Sequence, residues 1–105
     1  MSPRCRKCAP VPEDVRVAAD LLGSRWTLTI VYAAHSGATR FNELKAAVGN
    51  IPPRTLVTRL AELEQAGVIE RVVIDARPPQ VEYRLTEEGL RLESLLAALS
   101  AFAAR

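Results

Sequence analysis

Catalytic equipment is what this sequence has least of. Its 105 residues include one histidine, two cysteines and 5 % aromatic side chains. One imidazole (His35) and two thiols (Cys5 and Cys8) cannot close a tetrahedral zinc site within one chain, so such a site would need cysteines shared between two copies. A thioredoxin-like role for Cys5-Arg6-Lys7-Cys8 requires a βαβ pattern beside it, which the chain lacks. No apolar run reaches membrane-spanning length and no cleavable signal stands at the start, which predicts a cytoplasmic protein with no membrane partner. Repeats and low-complexity linkers are missing too. One domain fits this length, with a core modest enough that burial between two copies would help. The expectation is a non-enzyme without a cofactor.

Excess charge is also lacking. A formal net charge of +2 does not by itself mark nucleic-acid binding. Its distribution says more: Met1 to Arg59 carries 9 basic and 4 acidic side chains (+5), whereas Leu60 to Arg105 carries 5 and 8 (−3).

The chain between Arg40 and Gly89 is rich in local signals. Phe41, Leu44 and Val48 share one stripe of a short helix, which Asn42 is placed to cap. Gly49-Asn50 tolerates positive φ and predicts a sharp turn. Ile51-Pro52-Pro53 forces an extended approach, and Pro53 suits the first position of a new helix because it has no N–H to leave unbonded. Within that helix Leu56, Leu60 and Leu63 recur at spacings of four and three, so they form the buried stripe. Arg54, Thr55, Thr58 and Arg59 occupy its first two turns, and its acids, Glu62 and Glu64, come later. Cations and hydroxyls at a helix start suit phosphate and base edges.

Gly67 ends that helix. Val68 to Ile74 is dense in β-branched residues, and Val81, Tyr83 and Leu85 alternate with Glu82 and Arg84, as in two strands of a half-buried hairpin. The tip, Asp75-Ala76-Arg77-Pro78-Pro79, is stiffened by proline and presents Arg77 to a phosphate or the minor groove. Thr86 is a helix cap followed by two acids that suit the dipole. Helix, turn, helix and hairpin in this order predict a mostly α fold with a small β-hairpin wing, a winged helix-turn-helix (α+β).

Six segments carry a resemblance that covers the chain from Cys8 onward: Gly23-Ser24-Arg25-Trp26-Thr27-Leu28, Arg40-Phe41-Asn42-Glu43-Leu44, Ile51-Pro52-Pro53-Arg54-Thr55-Leu56, Arg59-Leu60-Ala61-Glu62-Leu63, Gly67-Val68-Ile69-Glu70-Arg71 and Pro78 through Gly89. In order and at these spacings the chain resembles the HxlR-type winged helix-turn-helix transcriptional regulators, relatives of the MarR type. The resemblance implies a small DNA-binding homodimer of a bacterium or archaeon that controls transcription. Two features depart from the family pattern. Pro52 stands where members commonly carry a serine, losing a hydroxyl cap of about 1 kcal/mol. A second cysteine precedes the one common in the family.

Domain boundaries follow. Residues 1–7 form a flexible basic segment with Cys5, and residues 8–105 the winged domain, with the helix-turn-helix at about 41–66, the wing at about 68–85 and a C-terminal dimerisation helix at about 87–104. Val15, Ala18, Leu21 and Leu22 make an apolar stripe ahead of Gly23, and Ser24 is placed to cap the next helix, which carries Trp26, Leu28, Ile30 and Val31. Trp26 and Phe41 read as core. Leu92, Leu95, Leu96, Leu99 and Phe102 form a seam longer than a small winged domain covers, so these and Val15, Ala18 and Leu22 are expected at a two-fold homodimer interface. The alternative is a C-terminal helix folded back on its own domain.

The predicted function is sequence-specific binding of double-stranded DNA at a pseudo-palindromic operator by a homodimeric repressor. Arg54, Thr55, Thr58 and Arg59, with Pro53 at the helix start, are assigned to the major groove, and Arg40 and Arg77 to backbone or minor groove. No metal site is expected, and the small-molecule effector is left open. Cations around Cys5 and Cys8 favour thiolate, which fits redox or electrophile sensing; the plainer reading is an idle terminal segment. The alternative to DNA binding is a winged-helix protein-interaction module using the outward face of Pro53 to Gln65. His35 reads as a helix-end or solvent-exposed residue, and Glu62, Glu64, Glu87, Glu88 and Glu93 as solvated faces.

Overall fold

A computed structural model describes residues 9–104. Residues 1–7 with Cys5, and also Cys8, lie outside the described residues, so the expectations about a flexible segment and reactive thiols fall beyond them. The elements are α1 (Glu13–Leu22), α2 (Thr27–His35), α3 (Phe41–Val48), α4 (Pro53–Gln65), β1 (Ile69–Ile74), β2 (Gln80–Leu85), α5 (Glu87–Leu90) and α6 (Glu93–Ala103). β1 and β2 pair antiparallel from Ile69 opposite Leu85 to Ile74 opposite Gln80. The hairpin is joined to the helices by the Tyr83 N–H, which donates to the Thr39 carbonyl at 2.7 Å ahead of α3.

The core is built from the predicted stripes. Leu44 of α3, Leu56, Leu60 and Leu63 of α4, and Ile30 and Val31 of α2 meet Ile51, Val68 and Ile69 in one buried cluster. Each fully buried side chain of this size contributes about 1.5–3 kcal/mol relative to exposure. Trp26 and Phe41 pack against the cluster half-buried.

Several local expectations need correction. The start of α3 is closed by Glu43, not Asn42: one carboxylate oxygen accepts from the N–H groups of Thr39 (3.0 Å) and Arg40 (3.1 Å), while Asn42 lies inside the helix. Ser24 does not cap α2 with its side chain. Its carbonyl accepts from the Thr27 N–H at 3.2 Å, and Trp26 stands ahead of the helix in the left-handed region at φ 81°. Gly49 (φ 83°) makes the α3–α4 turn, and Asn50 does not take positive φ. His35 is half-buried at the end of α2, with Nε2 3.0 Å from the Gly89 carbonyl.

The C-terminal helix is two helices. Thr86 caps α5 as expected, accepting from the Gly89 N–H at 3.1 Å, and its hydroxyl also reaches the carbonyls of Gly67 and Val68. Gly89 sits so close to the α4–β1 turn that a Cβ there would collide with the Val68 carbonyl. The chain then tightens, with Arg91 donating to Glu88 at 3.2 Å and Leu92 to Gly89 at 3.1 Å, before α6 begins at Glu93.

The outer helices bury little. α1 contributes no buried residue, and along the seam Leu96 belongs to the chain's own core at 4 % exposure while Leu92 packs against it. Leu96 is therefore removed from the expected dimer face. Leu95 and Leu99 remain 44 % and 39 % exposed, Phe102 and Val15 are exposed, Ala18 is exposed and Leu22 is half-buried. The radius of gyration, 16.2 Å, exceeds the value of about 13 Å typical of a compact domain this long, as protruding helices require.

Candidate nucleic-acid interface

Three elements place the predicted contact residues. Leu56, Leu60 and Leu63 anchor α4 to the core, which turns Arg54 and Thr58 fully outward and leaves Thr55 and Arg59 half-exposed. Pro53 opens the helix exposed, preceded by Pro52 in an extended conformation without a side-chain cap. This leaves the first N–H groups of α4 available to an acceptor outside the chain, where the helix dipole favours phosphate. Gly67 (φ 80°) closes the other end, where the Val68 N–H bonds back to the Leu63 carbonyl at 3.0 Å.

Arg54, Thr55, Thr58 and Arg59 line an open depression of about 270 Å³. Its lining is two arginines and two threonines, with no acid among them. The four residues are not equivalent. Arg54 has no ion-pair partner among the described residues. Thr58 donates its hydroxyl hydrogen to the Arg54 carbonyl at 3.0 Å and keeps its oxygen lone pairs as acceptors. Arg59 departs from the expectation of an outward cation: Nε donates to the Arg25 carbonyl at 2.9 Å, and Nη1 lies 3.3 Å from Glu62.

Arg40 and Arg77 flank this depression in sequence on opposite sides. Arg40 stands at the α3 start with Nη2 donating to Gln80 Oε1 at the tip-side end of β2, so the second helix-turn-helix cation is fixed to the wing. Arg77 is exposed at the tip between β1 and β2 and has no ion-pair partner among the described residues. Glu43 is held below the usual carboxylate range, chiefly by the hydrogen bond from the Thr39 N–H and then by that from Arg40, so it stays ionised as the clamp on α3.

Sequence reasoning missed three of these partners. Gln80, Thr39 and the Arg25 carbonyl lie 34 to 44 positions from the residues they serve, at separations no local periodicity reports. The Glu43 clamp had a signal, because an acid three residues after a helix start is the second half of a capping box.

An exposed helix start and a short hairpin, each bearing an arginine without an ion-pair partner among the described residues, define the class as a winged helix-turn-helix. The family follows from comparison: residues 21–105 match the model of the HxlR-like helix-turn-helix, and the chain belongs to that family. It is 42 % identical to the uncharacterized HTH-type transcriptional regulator YvaP of Bacillus subtilis, over 82 % of this chain and 80 % of that one. Among solved structures, the reduced form of the transcriptional regulator YodB from B. subtilis superposes with a TM-score of 0.80 at 34 % identity, covering 90 % of this chain and 92 % of that one. The redox regulator HypR in its reduced form gives 0.79 at 34 % identity, over 88 % and 91 %.

Proposed function

We propose that this chain is a transcriptional repressor that binds double-stranded DNA as a two-fold homodimer in the cytoplasm. One observation carries the reading: the acid-free depression at the start of α4, lined by Arg54, Thr55 and Thr58, is exposed on a helix firmly anchored to the core. In this reading the α4 start enters the major groove with Pro53 at its tip, Arg54 meets a phosphate or a guanine edge, and Arg40 and Arg77 follow the backbone or minor groove. α1 (Val15, Ala18, Leu22) and α6 (Leu95, Leu99, Phe102) cover one another across the dimer axis. Two α4 starts then read a pseudo-palindrome with half-sites about 34–36 Å apart.

The test is a salt titration of binding to the DNA upstream of the chain's own gene. Arg54→Ala is expected to weaken binding by about 1–3 kcal/mol and to flatten the salt slope by about one. Unchanged affinity and slope would leave the outward face of α4 to a protein partner. A second reading, thiol-based sensing by Cys5 and Cys8, is favoured by the likeness to a regulator described as a redox regulator. Its check is DNA affinity before and after mild oxidant, in the parent and in Cys5→Ser and Cys8→Ser; equal affinities throughout remove it.

A further inference from the structure

The depression on α4 contains one guanidinium that already has work inside the molecule. Arg59 is the most enclosed of its charged groups, with 21 % of its side chain exposed, and Glu62 sits against Nη1 and neutralises much of its field. Its Nε points the other way, into the corner between α1 and α2, where it donates to the Arg25 carbonyl. Among the described residues no main-chain N–H reaches that carbonyl.

That corner is costly to hold. Trp26 adopts φ 81°, a region bulky L-residues avoid, and the following Thr27 is buried with no partner for its hydroxyl among the described residues. The Arg25 guanidinium lies over the Trp26 ring at 4.9 Å. A conformation of this kind persists only when its surroundings over-determine it, and Arg59 supplies one of those constraints from the recognition helix itself.

We infer that Arg59 is a positioning residue: it locks the DNA-facing end of α4 to the α1–α2 corner through the Arg25 carbonyl, and it acts on DNA affinity through that lock instead of by contact. The inference rests on the DNA-binding reading of α4. It deepens that reading by joining the recognition helix to α1, the helix that carries the N-terminal segment.

A charge-for-donor swap tests it. Glutamine carries an amide nitrogen the same number of bonds from the backbone as the arginine Nε, without charge; lysine keeps the charge and puts a methylene at that point. Trp26 is the only tryptophan in the chain, so emission of the DNA-free protein reports on the corner alone. Arg59→Gln is expected to keep the parent Trp26 emission, the salt slope, and DNA affinity within about threefold. Arg59→Lys is expected to shift the emission and weaken binding about tenfold at an unchanged slope. The inference is overturned if Arg59→Gln flattens the slope by about one, or if Arg59→Lys leaves emission and affinity as in the parent. Arg54→Ala run in parallel separates the two claims: should its slope stay unchanged, the DNA reading itself fails, whatever Arg59 does.

Discussion

The helix-turn-helix with its wing and the pair of outer helices are built on opposite principles. In the first, almost every element is fastened twice. α3 is closed by Glu43 and packed through Leu44, α4 is buried through three leucines, and the wing is tied by Tyr83 to Thr39 and by Thr86 to the Gly67 and Val68 carbonyls. In the second, no residue of α1 and only Leu96 of α6 is fully buried, although both are rich in apolar residues. A region that satisfies itself reads as a finished tool, and one that does not reads as half of an interface. The contrast teaches that apolar content alone does not mark a core; what marks it is whether stripes on neighbouring elements face each other.

The sharpest way to break this contrast is to cut equally into both regions. Leu60→Ala, at 1 % exposure, is expected to cost about 2–5 kcal/mol in chemical unfolding, independent of protein concentration. Val15→Ala in α1, at 52 % exposure, is expected to stay within about 0.5 kcal/mol at low concentration and to cost more only where dimers form. Equal, concentration-independent losses would erase the distinction. An effect on assembly instead of folding is expected from Leu95→Glu combined with Leu99→Glu, each forgoing at most about 1.5–3 kcal/mol of burial between copies. Sedimentation should show a monomer with unchanged helix content, whereas a parent that is already monomeric would refute the assigned interface.

The smallest effect belongs to Glu43. Its folded pKa lies below that of a free glutamate, so the ionised form is the stabilising one. Its contribution is fully present above the ordinary glutamate pKa of about 4.3 and is lost as pH falls through the lower folded value. Glu43→Gln should therefore melt below the parent at neutral pH, and the gap in thermal midpoint should close under acid. A gap that persists undiminished in acid would assign the clamp to shape instead of charge.

How much was legible in the sequence follows the same division. The stripes of α3 and α4, the strand alternation and the Thr86 cap were readable because each is set by neighbours within four residues. So was the composition of the α4 depression, since an anchored stripe of leucines dictates which residues face outward. The break between α5 and α6 was not readable, and neither was the close approach of Gly89 to the Val68 carbonyl, across 21 positions. Neither was the double life of Arg59, whose sequence neighbours suggest an ordinary outward cation. The place of Leu96 was hidden because all the leucines of one seam look alike until a second helix selects among them.

Thr86 has a mechanical consequence. One hydroxyl grips the end of the recognition helix, the root of the hairpin and the first turn of α5 at once, so these three parts share a pivot. A push along the C-terminal arm therefore bears on the hairpin root and the end of α4 through one shared contact.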